Sequence, residues 1–285
     1  MFRKILIPTA YPKNAEKAAE IGTALADKGA KITALMVESN SSVSSAYLDK
    51  IKKVVEKSGL EFESKVIKSD SVADAIVTEA AFGGCDLVLL GTREIEAGRH
   101  RIGPVTDDVL KRVSCTAIAT KYPAKPPKKI LVPVILVLDV ILDKVYTERA
   151  VQIAALLAKH YGSKVTIANV TGSVFVPRPS KVLEILHGHF EEFSEAIERG
   201  GEVSEEHINE MLNICSQLNV DCDSSVKSLS SLANALDECT KECDLLVLGT
   251  SGQEEGGSFQ FKEEIGGIIG LTTCGVMIVS GPKVR

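Results

Sequence analysis

The chain carries one stretch twice, and that repetition limits the folds open to it. Residues 85–120 and 243–280 each begin Cys-Asp-Leu, run through an apolar segment that stops at Gly91-Thr92 or Gly249-Thr250, and enter a polar, glycine-bearing loop. A helix-length segment comes next, and a second apolar run starts just after Cys115 or Cys274. Strand, loop, helix, strand is the order that follows. Leu87-Val88-Leu89-Leu90 has no polar alternation, which suits a parallel strand buried on both faces, and the glycine after it marks where the chain leaves the sheet. In open α/β sheets ligands bind at that carboxyl end. Function is therefore sought in two loops, Gly91–Gly103 and Gly249–Lys262.

The rest of the first copy reads in the same rhythm. Lys4–Pro8 is a first strand and Thr9–Pro12 its exit; Ala15, Ala18, Ala19, Gly22 and Ala26 recur at helical spacing, with a C-cap expected at Lys28-Gly29. Lys31–Val37 is a second strand. Leu48, Ile51, Val54 and Val55 line a helix closed by Gly59, Phe62–Ile67 is a third strand, and Asp70 is the expected N-cap of a helix using Val72, Ala73, Ile76 and Ala80. Strands alternating with helices predict a parallel sheet with right-handed crossovers.

The pattern restarts after Tyr122-Pro-Ala-Lys-Pro-Pro-Lys128, whose residues 123–128 read as a semi-rigid linker between a domain at 1–122 and a second at 129–285. Lys129-Ile-Leu-Val-Pro133 repeats Lys4-Ile-Leu-Ile-Pro8, and Lys164–Val170 repeats Lys31–Val37. The second copy is longer in two places, the apolar run Val134–Leu142 and an enlarged crossover at 171–215. Within the crossover, Val182, Leu183, Leu186, Phe190, Phe193 and Ile197 form an apolar helical stripe, and Ser204 is placed to cap a helix through Ile208, Leu212 and Cys215. Such stripes usually cover a core.

Charge and composition exclude several classes. A formal net charge of −5 over 285 residues leaves no electrostatic footprint for nucleic acid. The N-terminus reads as a strand rather than a signal peptide, and Ile130–Leu142 contains Asp139 and is too short to span a bilayer, so a cytoplasmic protein without a membrane partner is expected. Seven scattered cysteines make a poor disulfide framework, and the four at matching positions, Cys85 with Cys243 and Cys115 with Cys274, read as small apolar residues at strand starts. His187-Gly188-His189 with Glu191-Glu192 lacks a shared helical face for metal, so no metal ligand is assigned. No nucleophile elbow, no P-loop and no acid/base constellation is present, and no catalytic residue is assigned.

Together, the Lys-Ile-Leu-Ile/Val-Pro strand, the Asp-Leu-Val/Leu-Leu/Val-Leu-Gly-Thr strand and the cysteine opening the fifth strand resemble universal stress protein domains, twice in tandem. The resemblance implies two doubly wound α/β domains, each a five-stranded parallel sheet flanked by helices, of flavodoxin-like, adenine nucleotide alpha hydrolase-like type. It also implies pairing of domains through their last strands: an intramolecular pseudo-dimer, with a homodimer as a further expectation. Members that bind ATP carry an Asp after the first strand's proline and a Gly-x2-Gly-x9-Gly-Ser/Thr loop, whose glycines let amides approach phosphate. Both copies keep part of it. In the first, Gly91 and Gly103 stand, while Glu94, Pro104 and Ala10 replace the second glycine, the hydroxyl residue and the aspartate. In the second, Gly249, Ser251 and Gly252 stand, Lys262-Glu263 replaces Gly-Ser, and the aspartate equivalent is Asp139 or Asp143. Arg93, Arg99, His100 and Arg101 make the first loop basic enough to hold phosphate through side chains.

Candidate residues for ATP or AMP are those at carboxyl strand ends: Pro8, Thr9, Ala10, Val37, Gly91, Arg93 and Gly103 in the first copy, and Pro133, Val134, Val170, Gly249, Ser251 and Gly252 in the second. Three functions stay open: a nucleotide-responsive regulator, a nucleotide-independent scaffold, and a weak ATP hydrolase.

Overall fold

The computed structural model describes residues 2–9, 14–38, 46–96, 99–137, 140–141, 144–171, 205–228, 232–250, 272 and 274–281. The chain divides into two compact units. One gathers Met1–Tyr122 with Thr250–Gln253 and Gly275–Arg285, the other Pro123–Gly249 with Glu254–Cys274.

In the first unit the elements are β1 (Phe2–Pro8), α1 (Ala15–Leu25), β2 (Ala26–Glu38), α2 (Ala46–Lys57), β3 (Glu61–Lys68), α3 (Val72–Phe82), β4 (Leu87–Gly91), β5 (Arg93–Glu96), β6 (Arg99–Arg101), α4 (Pro104–Arg112) and β7 (Thr116–Lys121). The strands β3-β2-β1-β4-β7 lie side by side and parallel, so the order reverses between β1 and β4. The crevice that ligands favour in such sheets opens at that reversal. Central strands are wholly apolar where they are covered on both faces: Ile5, Leu6 and Ile7 of β1 and Leu87, Val88 and Leu89 of β4 are buried. Helices present one stripe each, Leu48, Ile51 and Val55 on α2 and Ala73, Ile76 and Ala80 on α3.

Three local expectations are corrected. Helix α1 stops at Leu25 rather than near Gly29; Gly29, at φ +75, instead turns the chain inside the start of β2, where the pairing with β1 slips between Phe2 and Lys4. The N-cap of α3 is Ser71, whose hydroxyl accepts from the Asp74 amide at 3.2 Å, one residue beyond Asp70. The segment after Gly91, read as a loop, holds the short antiparallel hairpin β5–β6, with Arg93 opposite Arg101 and Glu94 opposite His100.

The second unit contains β8 (Lys129–Val137), β9 (Val140–Ile141), α5 (Lys144–Tyr161), β10 (Lys164–Thr171), the helix α6 at 205–217, β11 (Cys222–Ser228), α7 (Leu232–Glu242) and β12 (Leu245–Thr250). Its parallel order is β11-β10-β8-β12. The additional apolar run Val134–Leu142 extends β8 and folds back on it as β9, with Leu136 opposite Ile141. Of the enlarged crossover, residues 172–204 lie outside the described residues; α6 buries Ile208, Met211 and Cys215.

The strand β13 (Gly275–Ser280) clusters with the first unit. It runs antiparallel to β7, Met277 against Thr120 and Ile278 against Ala119, and both strands are buried along their whole length. The edge that β7 would otherwise leave open is thereby paired.

Candidate nucleotide-binding site

The two copies hold their sheets together with the same carboxylate. Asp86 accepts from the amides of Arg3 (2.7 Å) and Lys4 (3.0 Å) while its own amide donates to the Lys4 carbonyl. Asp244 does likewise with the amides of Lys128 and Lys129 and the Lys129 carbonyl. The aspartate of the repeated Cys-Asp-Leu thus locks β4 to the start of β1, and β12 to β8, at the end of the sheet opposite the ligand crevice. Its appearance after the cysteine in both copies was the signal for that role, which sequence reasoning missed.

At the carboxyl end of the first unit's sheet the candidates are ordered by backbone and hydroxyl bonds. The Thr9 amide donates to the Leu35 carbonyl at 2.9 Å, fixing the exit of β1 against β2, and the Thr92 amide donates to Thr120. Thr106 donates its hydroxyl to the Gly91 carbonyl at 3.3 Å, tying the first turn of α4 to the end of β4. Gly103 caps α4 in an extended conformation without a side-chain bond, and Pro104 follows at N1. With no N–H on Pro104, the amides of Val105 and Thr106 are the first that the helix can offer an anion. The far end of α4 is anchored by Arg112, bound to Asp108 at 2.8 Å and Asp74 at 2.5 Å; the guanidinium, with the Ser71 hydroxyl, holds the Asp74 carboxyl below its ordinary range.

Two further groups mark this crevice. Thr9 Oγ1 is buried and, among the described residues, has no hydrogen-bond partner. Tyr122, assigned from sequence to the linker's edge, is half-buried, and its ring passes 3.7 Å from where a Cβ on Gly91 would stand. Burial pushes its phenol above the ordinary value. Pro8, Thr9, Val37, Gly91 and Gly103 therefore sit at strand ends or at the helix cap as expected, and Arg93 sits on β5. Ala10 lies outside the described residues.

The second unit is built differently at the corresponding place. A Cβ on Gly249 would overlap the backbone of Tyr146 and Thr147 in the first turn of α5. The glycine is needed there so that helix and strand can touch. Because β8 runs on to Val137, Pro133 and Val134 lie inside the strand rather than at its end, and Val134 is buried. Val170 is the penultimate residue of β10. Ser251, Gly252, Asp139, Asp143, His187 and His189 fall outside the described residues.

Among the described residues no three His, Cys, Asp or Glu side chains converge as a metal site. All seven cysteines are free thiols; burial lifts Cys85 to about 11 and Cys115 to about 12, as suits packing rather than reaction. Among the described residues no helix is long and apolar enough to cross a membrane. Among the described residues this end of the sheet brings together the amides of Val105 and Thr106, the buried hydroxyl of Thr9 and the Tyr122 ring.

Residues 1–121 match the model of the universal stress protein family. No curated protein matches the chain. A functionally unknown protein, PA1789 from Pseudomonas aeruginosa PAO1, is 14% identical with a TM-score of 0.63, over 99% of this chain and 93% of that one. A universal stress protein from Archaeoglobus fulgidus DSM 4304 is 12% identical with a TM-score of 0.60, over 99% of both chains. The cytoplasmic domain of a prokaryotic cation chloride cotransporter reaches the same TM-score, 0.60, at 7% identity, covering 99% of this chain and 96% of that one. At such identities the likeness is one of fold alone.

Proposed function

Because residues 1–121 form a universal stress protein domain, we propose that the chain is a non-enzymatic, cytoplasmic stress-response regulator whose first copy takes an adenine nucleotide, ATP or AMP, while its second copy is structural. The observation that carries this reading is the contrast between the two glycines after the fourth strands. Among the described residues, Gly91 has only the edge of the Tyr122 ring nearby, with an N-terminus of α4 that lacks a side-chain cap and a buried Thr9 hydroxyl at the same end of the sheet, whereas Gly249 is filled by the backbone of α5. A phosphate needs open space beside backbone amides, and only the first copy offers it among the described residues. On this reading the second copy serves as the partner domain of a tandem pseudo-dimer.

The experiment is to purify the chain without added nucleotide, denature it, identify any released small molecule by mass spectrometry, and titrate ATP and AMP calorimetrically. One adenine nucleotide per chain, with binding weakened by Arg93→Ala, supports the regulatory reading. No released nucleotide and no heat at millimolar ligand would sink it. A nucleotide-independent scaffold is the second reading, favoured by Pro104, which removes an amide from the place where the family's loop offers Ser or Thr. Release of inorganic phosphate from bound ATP would move the protein to the third class, a weak hydrolase.

A further inference from the structure

The sheet of the first unit has two edges, and β13 closes the one at β7. At the other end β3 stands last in the strand order, and among the described residues nothing pairs with its outer side. Its eight residues follow β2 without a slip, from Lys31 opposite Glu61 to Glu38 opposite Lys68. The Ser69 amide donates to the Glu38 carbonyl at 3.2 Å, and backbone groups alternate along a strand, so those of Glu61, Glu63, Lys65 and Ile67 also face β2. The amides and carbonyls of Phe62, Ser64 and Val66 therefore point outward, where another strand could take them.

The side chains of this edge are complementary to themselves in one register. On the face covered by α3, Lys31 bridges Glu61 (3.4 Å) and Glu63 (3.0 Å), and Lys65 binds Glu79 of α3. Phe62, Ser64 and Val66 alternate onto the other face, where Val66 is 54% exposed. A two-fold axis perpendicular to the sheet preserves its faces, so an antiparallel copy of β3 must meet this one about a central residue, with the flanking residues matched in reverse. Centring on Glu63 or Lys65 sets a charge against its own copy, and centring on Phe62 sets Glu61 against Glu63. Centring on Val66 sets Lys65 against Ile67 and Ser64 against Lys68. Centring on Ser64 matches Glu63 with Lys65 and Phe62 with Val66, on both sides of the axis. The edge strand β11 has no equivalent register: about Ser225, Asp223 meets Lys227 but the exposed Val226 meets Ser224.

We propose that a second copy of this chain docks on β3, antiparallel and centred on Ser64, to form a closed homodimer in which two first-unit sheets continue through a shared edge. Ser64 exchanges both backbone bonds with Ser64 of the second copy, and Phe62 exchanges both with its Val66, because these residues carry the outward groups. Glu63 and Lys65 then form the non-hydrogen-bonded pairs, in which facing side chains lie closest, so opposite charges meet at the shortest separation. Charge along an edge ordinarily keeps strands apart; here it forbids the neighbouring registers and admits this one. The contact uses the same patch on both copies and occupies it fully, so association stops at two. One eight-residue edge is a small interface, which places the dissociation constant on the order of micromolar. The pairing rests on the open edge alone and stands whether or not the first unit takes a nucleotide.

Sedimentation velocity on the full chain between roughly 1 and 100 μM should show monomer passing to dimer without larger species. Over that range the amides of Phe62, Ser64 and Val66 should slow in hydrogen exchange, and by more than those of Glu63 and Lys65, which β2 already holds. Ser64→Pro removes an outward N–H and none bonded to β2, so it should keep the circular dichroism of the parent and weaken the dimer about tenfold or more. Glu63→Lys and Lys65→Glu each set like charges opposite one another, and each alone should be monomeric across the range. Mixed in equal amounts, the two variants place opposite charges at both positions and should recover a one-to-one dimer within about tenfold of the parent affinity. Circular dichroism checks that each variant folds. A parent chain that stays monomeric at about 100 μM, open-ended assembly, a dimer undiminished by Ser64→Pro, or a mixture no more associated than its components would each overturn the proposal.

Discussion

The backbone of Tyr146 occupies the space that any side chain on Gly249 would need. Gly249→Ala should therefore destabilise the protein by about 1–3 kcal/mol or more, because helix and strand must separate to admit the methyl. Gly91→Ala, whose Cβ would meet, among the described residues, only the Tyr122 ring at 3.7 Å, should change stability by no more than about 0.5 kcal/mol. Urea unfolding of the two variants checks the pair, and equal effects would remove the asymmetry on which the assignment of the ligand to the first copy rests.

Thr9 makes a second, sharper test. Its buried hydroxyl has no partner among the described residues, so Thr9→Val removes a desolvated polar atom and should leave unfolding free energy within about 0.5 kcal/mol or raise it. If a nucleotide uses the hydroxyl, the same change should weaken binding about fivefold, the value of one ordinary hydrogen bond. Calorimetry and urea unfolding on one preparation separate the two effects.

Asp86 accepts two backbone amides from the start of β1. Asp86→Ala leaves those amides to water and should cost about 1–2 kcal/mol, with nucleotide binding unaltered because the lock lies at the far end of the sheet. A variant that lost binding while keeping its stability would contradict this division of labour.

Alkaline pH should act through the thiols of the first unit. The unfolded chain releases a cysteine proton near pH 8.5, whereas the folded protein keeps Cys85 protonated up to about 11 and Cys115 up to about 12. Above the unfolded value the folded state binds more protons, so stability falls as pH rises. Their full contribution is present below about pH 8.5 and is lost through the folded values. The fall in Tm between pH 8.5 and 10 should be shallower in a Cys85→Ala, Cys115→Ala double variant; an identical slope would assign the effect to other groups.

Removing residues 275–285 should expose β7. Without β13, the row from Ala117 to Lys121 presents unpaired amides and carbonyls along an apolar strand, a template for another chain. Size-exclusion chromatography should show dimers or larger species where the full chain does not form them to the same extent.

Much of this fold was legible in the residues. The Lys-Ile-Leu-Ile-Pro strand, the Asp-Leu-Val-Leu-Leu-Gly strand and the stripes of α2 and α3 follow from burial, because a chain that must cover apolar faces at fixed period has few other choices. What escaped was set by contacts between distant segments. The end of α1 at Leu25 depends on where β2 finds β1, not on the propensity of Ala26 or Lys28. Ser71 rather than Asp70 caps α3 because the geometry of one turn decides which oxygen reaches the Asp74 amide. At the site, the motif glycines were visible, but Gly91 and Gly249 look alike in sequence and differ only through Tyr122 and Tyr146. The β5–β6 hairpin was missed because its strands are short and charged, with no apolar alternation to announce them.

The pairing of β13 with β7 also imposes an order of events in the cell. The strand that shields the first unit is made long after the sheet it completes, since Lys121 leaves the ribosome before Gly275 is synthesised. At ordinary elongation rates the delay is roughly 8–30 s, far longer than a small α/β domain needs to fold. During that interval the nascent first unit carries an open sheet edge, and polysomes place neighbouring nascent chains within reach of it. Translation speed through the second half, and chaperones that hold exposed strands, should therefore influence how much of this protein matures correctly, even under conditions in which the finished molecule is stable.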